Sequence, residues 1–527
     1  MMLPVLRAQK PKSSGPIGFA IVGCVLALGG SEANAQTDEA QGSTAPSGSK
    51  RTVSIVPRFS VTETMTDNVF LSSTNKQSEQ TTDINPGIRI SGEGSRIKGY
   101  FDYSRRESLY AQNSSGRTSQ NALNTFGSIE AVDNRAYLDV SGTISQQAIS
   151  ALGTQSLGNS AINSNLTEST NLRLSPYVRG QLGGFANYTL RHSISTNRSQ
   201  SAQVSDVTTS DTQFQLNSAG SSTPLAWSMA ATRQNIGYSG VGRSTESDSA
   251  TGSLVYTVTP QLVLTLTGGQ ESNNFTTINK ELNWTSGFAV TWRPAETTQF
   301  IATRQNHSYG DSFALSLDHR TGRTAWRFSD SKAVTATPSQ PGFASLGSVY
   351  DLYFAQFAAI EPDPVARAAL VSNFLLVNGI NPNTVAVSSF LTSAVSLQRR
   401  QDMSVALLGV RDTITLTATR SEGSRLDSIS GVSDDLSNSG VIRQSGLSIN
   451  FSHKLTPETA LTLLASAQQA SSSLGQQNTT TNLINISLST RVGTQSTALL
   501  GLRRVMFESN ANPYTENAIT GTLNVPF

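Results

Sequence analysis

Leu447-Ser448-Ile449-Asn450-Phe451-Ser452 places an apolar side chain at every second position and a small polar one between them. Ile484-Asn485-Ile486-Ser487-Leu488 does the same. Successive side chains of a β-strand point to opposite faces, so a period of two marks a strand lying between two solvents. The pattern spreads through the chain. Val53, Ile55, Pro57, Phe59 and Val61 share one face, as do Ile84, Pro86, Ile88 and Ile90, and then Ile97, Gly99, Phe101 and Tyr103. Beyond residue 35, no stretch offers the ~18 uncharged apolar residues of a transmembrane helix.

Composition agrees. Of 527 residues, 37% are apolar and 14% charged, against ~45–50% and ~25% in an ordinary globular protein. Ser, Thr, Asn, Gln and Gly make up the difference, which suits strands with one polar face better than an ordinary multidomain enzyme. The N-terminus reads as an export signal over residues 1–35. Arg7, Lys10 and Lys12 precede a short apolar core from Ile17 to Gly30, and Ala33-Asn34-Ala35 offers small residues for cleavage before Gln36. Removing that segment takes away three basic residues and Glu32, so the net charge of +2 falls to zero. Nothing then points to nucleic acid. The single cysteine, Cys24, lies in the apolar core, so the exported chain needs no disulfide. Ile21-Val22-Gly23-Cys24 also resembles a lipoprotein processing box, which would instead leave Cys24 as a lipidated first residue.

The connections choose the architecture. Short turns near Gly92–Ser95, Asp133–Arg135, Leu182–Gly184, Thr259–Gln261, Arg293–Thr297, Arg320–Arg323, Gly409–Arg411, Thr456–Glu458 and Gly493–Gln495 alternate with longer polar loops. The loops fall near 65–82, 110–119, 149–165, 197–210, 237–247, 272–282, 334–393, 422–439, 471–479 and 508–516. Ser218–Pro224 is long for a turn, and His307–Asp311 is short for a loop. Outer-membrane barrels alternate in this way, with short periplasmic turns and longer extracellular loops. The expectation is an all-β, transmembrane, up-and-down antiparallel β-barrel over residues 51–527. It should have about 22 strands, an even number between roughly 18 and 26. Residues 36–50 read as a disordered periplasmic tail. Tyr137, Tyr177, Phe185, Tyr256, Trp292, Phe300 and Phe451 crowd the turns and suggest an interfacial aromatic girdle. The apolar faces should meet lipid, and the Ser/Thr/Asn faces a wet lumen.

The last residues sharpen the location. Ile519, Gly521, Leu523, Val525 and Phe527 alternate up to an aromatic end. This resembles the terminal signal read by barrel-assembly machinery. Ile519, Leu523, Val525 and Phe527 would carry it, in the outer membrane of a Gram-negative cell. The partners expected are outer-membrane lipid and that machinery.

Chemistry is sparse. No metal-ligand spacing joins His192, His307, His319 and His453, and no cofactor motif is present. His307, Ser308 and Asp311 form the one acid–base grouping near a loop, but such groupings are common in a Ser-rich chain, so no catalytic residue is assigned and a non-enzymatic role is expected. One segment differs. Asp363-Pro364 is a helix start and Gly379 a stop, with Leu370, Phe374 and Leu375 among the apolar residues between. A helix in the longest loop, 334–393, must bury that face, as a plug, a lid or a packing cap.

Several stretches resemble one family. They are Thr62–Phe70, Pro86–Ile90, Leu138-Asp139-Val140 with Ile144–Gln147, and Ser175-Pro176-Tyr177. Further along come Gly310–Phe313 through His319-Arg320-Thr321 to Thr324–Arg327, then Pro362-Asp363-Pro364 and Gln398-Arg399-Arg400. Together they are similar to the PEP-CTERM system-associated outer-membrane β-barrel family. The resemblance implies a barrel found beside exosortase and exopolysaccharide machinery, with no assigned activity. Two roles follow as expectations. One is a conduit or accessory pore for envelope or exopolysaccharide export, with the polymer or its export proteins as partners. The other is a non-conducting barrel that anchors secreted polymer or protein. A secreted solenoid would show a fixed short repeat, and none is found. The solute and the oligomeric state stay open.

Overall fold

A computed structural model describes residues 52–527 apart from 113–117, 159–160, 202, 220–223, 240–243, 336–349, 351–366, 369–370, 372–389, 393–394, 427–433, 474–476 and 494–495. Ala33, Ala35, Gln36 and Cys24 lie outside the described residues, as does the expected periplasmic tail.

The alternating segments form twenty-two strands in one sheet. The first eleven are β1 (Thr52–Thr66), β2 (Glu79–Glu93), β3 (Ile97–Tyr110), β4 (Thr118–Val132), β5 (Ala136–Ala148), β6 (Leu166–Leu182), β7 (Ala186–Ser199), β8 (Val207–Ser218), β9 (Leu225–Tyr238), β10 (Ser244–Thr259) and β11 (Leu262–Asn273). The others are β12 (Glu281–Ala295), β13 (Thr298–His307), β14 (Gly310–Arg320), β15 (Thr324–Thr335), β16 (Ser396–Leu408), β17 (Asp412–Arg425), β18 (Val441–Lys454), β19 (Thr459–Ser472), β20 (Asn478–Arg491), β21 (Thr497–Ser509) and β22 (Tyr514–Pro526). A five-residue helix, α1 (Asp435–Ser439), lies between β17 and β18.

Every strand is antiparallel to its sequence neighbours, and β22 pairs back onto β1 from Arg58↔Pro526 to Thr66↔Ala518. The ring is therefore closed. The Phe527 N–H donates to the Pro57 carbonyl oxygen at 2.8 Å and finishes the seam. Turn chemistry follows the residues. Asn134 takes φ 56° between β4 and β5, and Gly183 and Gly184 take 51° and 75° between β6 and β7. Tight hairpins demand such left-handed backbone, which Asn and Gly reach cheaply.

Register converts alternation into two surfaces. Leu416, Ile449 and Ala465 are aligned across β17–β19, and Leu463, Ile486, Leu502 and Ile519 across β19–β22. The large members of this band are exposed on the outside, where only lipid would solvate them. Tyr256, Trp292, Phe300 and Phe451 belong to the same outer face. Tyr137 and Tyr177 do not. They sit one place out of phase with the outward Leu138 and Val178, so they point inward and stack on each other at 4.9 Å. Arg179 and Arg191 cover the two ends of the stack, 4.5 and 4.0 Å from the ring centres. They are a lumen-side rivet, not part of the girdle, because one residue of phase moves a side chain to the other face.

The inner wall is also less uniform than its composition suggests. Thr143 and Ser145 on β5 are exposed to the lumen. Ser448, Asn450, Thr462 and Ser487 on β18–β20 also point inward but are buried.

Two outcomes are expected. Ile449→Arg and Ile486→Arg should each destabilise the assembled barrel by about 2–4 kcal/mol, the cost of a cation near the bilayer midplane. Thr143→Arg should stay within about 0.5 kcal/mol, as for an ordinary solvated site. Urea unfolding in vesicles measures both, and equal costs would overturn the facing. Deleting Phe527 should lower the yield of the heat-modifiable, folded form in outer-membrane fractions. Unchanged yield would remove its assembly role.

Candidate functional site

The candidate site is the extracellular mouth. Twenty-two strands spaced about 4.8 Å and tilted ~40° enclose a ring roughly 40 Å across. An empty ring of that width would pass almost anything, so what crosses it matters most.

Two loops meet over it. The seventeen residues between Ala148 and Leu166 can go out and back over at most about 30 Å. They meet the loop carrying α1, which rises from β17 and β18, nearly opposite β5 in the ring. The Asp435 carboxylate accepts the Ser150 hydroxyl at 2.8 and 2.9 Å and the Ala151 N–H at 2.7 Å. Leu391, just before β16, donates its N–H to the Ala148 carbonyl oxygen at 3.0 Å. Asp434 caps α1 by accepting the Ser437 N–H at 2.8 Å, and also accepts the Thr392 hydroxyl at 2.7 Å. Leu436 is fully buried with Ala151, Ile442 and Ala470. The two adjacent aspartates thus divide the work, one holding the helix and the other the crossing loop.

The same loop then forms a shelf against β19–β22. Leu157 and Ala161 pack with Leu71 on Leu464, Leu483, Val505, Phe507 and Tyr514 of the inner wall. The Tyr514 hydroxyl donates to the Gln155 carbonyl oxygen, and the Ile162 N–H to the Val69 carbonyl oxygen at 2.9 Å. The Arg503 guanidinium packs directly over Gly158, so a side chain there would displace it. Leu71 has φ 53°, in the left-handed region. That conformation costs a bulky residue about 1–3 kcal/mol, which burial of its side chain, about 1.5–3 kcal/mol, offsets. The Asn68 side chain helps hold this turn, with its amide donating to the Ser72 carbonyl oxygen at 2.8 Å and its oxygen accepting the Ser72 N–H at 2.9 Å.

Asp363, Pro364, Leu370, Phe374, Leu375 and Gly379 lie outside the described residues. Of that segment, Arg367, Ala368 and Val371 are described. They are helical, and Ala368 and Val371 are buried. His307, Ser308 and Asp311 do not form one group. Asp311 turns outward to pair with Arg304, Ser308 accepts from the Asn273 amide at 3.1 Å, and His307 points inward. Sequence reading missed Ser150, Asp435 and the shelf. The available signals were apolar residues in a loop treated as polar, namely Ala151, Leu152, Leu157 and Ile162, and the doublet Leu463-Leu464, which puts apolar side chains on both faces.

A closed, edge-free ring of strands with an apolar outer band and paired charges above it, such as Asp330–Arg399 and Glu422–Arg443, leaves one location. The chain is an outer-membrane β-barrel. No family model matches it, and no curated protein matches it in sequence. In fold it is similar to the FrpB iron transporter from Neisseria meningitidis, F5-1 variant, at 11% identity over 90% of this chain and 82% of that one, with a TM-score of 0.49. It is also similar to the siderophore receptor PirA from Pseudomonas aeruginosa, at 10% identity over 89% of this chain and 80% of that one, with a TM-score of 0.43.

Burial pushes the Asp435 carboxyl above its ordinary 3.8, against the opposing pull of its bonds to Ser150 and Ala151, and neighbouring Asp434 pushes the same way. A raised carboxyl pKa means that its contribution is complete in acid and is lost as pH rises through the raised value. The crossing loop should therefore be held most tightly in acid and loosen as pH rises above the ordinary carboxyl range. Amide hydrogen exchange over residues 149–165, corrected for intrinsic rates, should show protection falling with pH, and Asp435→Asn should flatten the dependence. Protection that rises with pH in the native chain would reverse the assignment.

Proposed function

We propose that the chain is a gated conduit, or an accessory pore, for export of a hydroxyl-rich polymer across the outer membrane. The carrying observation is the pair of loops tied across the mouth by Ser150, Ala151 and Asp435. A hydrogen bond of this kind contributes about 0.5–1.5 kcal/mol net. A tie of this size holds a loop closed yet opens without disturbing a wall of twenty-two paired strands. The inner wall at β5, with Thr143 and Ser145 exposed, offers hydroxyl groups and little net charge, which suits sugars better than strongly charged solutes. The likeness of Gly310–Phe313, Thr324–Arg327 and Gln398–Arg400 to PEP-CTERM-associated barrels supports placing it beside exosortase and exopolysaccharide export, with those export proteins as partners. The helix expected over Asp363–Gly379 would add to the closure.

A second reading has its own support. Inward residues Ser448, Asn450, Thr462 and Ser487 are buried, as they would be in a barrel that binds or anchors polymer without conducting.

Planar-bilayer recording separates the two. A gated conduit should show low resting conductance that rises several-fold in the double variant Ser150→Ala, Asp435→Ala, with the barrel still heat-modifiable. An assembled variant whose conductance stays at the resting level would reject the gate and favour the anchoring barrel.

A further inference from the structure

The inner face at the extracellular end of β11, β13 and β14 carries a second constellation, separate from the crossing loop. Glu271, His307 and Ser312 come from three strands, and register places all three on the lumen side. His307 Nδ1 lies 2.6 Å from Glu271 Oε2, and its Nε2 lies 2.9 Å from Ser312 Oγ. The other oxygen of Glu271 accepts the Ser308 N–H at 2.7 Å, so the carboxylate is fixed at both ends. The imidazole stacks on Tyr309 at 4.8 Å and 7°, and Phe275 meets Tyr309 edge-on at 5.6 Å. The His307 and Glu271 side chains are 14% and 6% exposed, so bulk water competes little for either. Gln305 stands directly across the hairpin from Ser312 on the same inner face.

This is the order of contacts that activates a serine: hydroxyl to imidazole, imidazole to a fixed carboxylate. Here both ring nitrogens are engaged, one by an acid and the other by a hydroxyl. We propose that Ser312, His307 and Glu271 form a hydrolytic site for short-chain carboxylic esters that reach it from the lumen. Ser312 Oγ attacks the ester carbonyl carbon while His307 Nε2 takes its proton. The carbonyl π electrons move to oxygen. The ester C–O bond then breaks, and the alcohol leaves with the proton from His307, giving acyl-Ser312. Water attacks next, His307 takes and returns a proton, and the carboxylic acid departs from free Ser312. Glu271 is a positioning residue that holds the imidazole tautomer and steadies the imidazolium. The aromatic roof of Tyr309 and Phe275 argues for a short acyl group. The open space beside Gly310, where an added Cβ would meet nothing within 4 Å, gives that group room.

The test uses the full assembled barrel in detergent with p-nitrophenyl acetate and a fluorophosphonate probe. The probe should label Ser312, located by peptide mapping. Ser312→Ala should abolish labelling and lower turnover at least ~100-fold, the scale of lost acid–base and nucleophilic assistance. Glu271→Gln should lower turnover and displace the inflection of the pH–rate profile, and Glu271→Asp should restore part of both. Heat-modifiable migration monitors assembly. Should Ser312→Ala not assemble, labelling of the native chain decides alone. Native protein that leaves Ser312 unlabelled, or an assembled Ser312→Ala with native turnover, would overturn the site and leave a bracing role.

Discussion

In hydrocarbon, a backbone N–H or carbonyl without a partner costs several kcal/mol, and no water is present to relieve it. This constraint governs the whole molecule. It rules out an edge strand, so β22 must return to β1, and the nine residue pairs from Arg58↔Pro526 to Thr66↔Ala518 make that return. The position of Phe527 at the seam follows, because it adjoins the strand that completes the ring and donates to Pro57 of the first. Closure in turn makes the lumen. A ring wide enough to close without strain at this strand number is too wide to be filled by wall side chains alone, so the residues between strands must decide what passes.

The loops do so with modest forces. The shelf of Leu71, Leu157 and Ala161 against the inner wall gains its stability from burial, whereas the tie at Asp435 rests on a few hydrogen bonds to one largely buried carboxyl group. The two differ in what can undo them. Burial is insensitive to pH, and the carboxyl tie is not. A closure that combines them keeps one contact anchored while the neighbouring one responds. The same contrast separates the two faces of the wall. The outer face is uniform, since lipid asks only for apolar surface. The inner face is heterogeneous, with exposed hydroxyls at β5, buried ones at β18–β20, a stacked Tyr137–Tyr177 pair, and the Glu271–His307–Ser312 group.

That heterogeneity explains which residues were legible. Ile449 and Ile486 announce themselves because lipid-facing positions repeat every second residue. Tyr137 and Tyr177 mislead because aromatics near a turn fit either face, and only pairing with outward Leu138 and Val178 fixes their phase. Ser150 and Asp435 are 285 residues apart, and nothing local marks either as the other's partner. Glu271 is likewise 36 residues from His307. Ser308 and Asp311 looked the better partners for His307 because they were close in sequence, yet strand geometry sends Asp311 to the opposite face and brings Ser312 inward.

The chain by itself determined the membrane class, the count of strands, their turns and their outward faces. Each of these follows from a short-range rule, a period of two with turn residues at intervals, that lipid enforces identically along every strand. The crossing of the mouth, the phase of the inner aromatics and the company His307 keeps were decided only in the closed ring. They depend on which strands stand opposite or beside one another, and curvature and register set that, not any neighbouring residue.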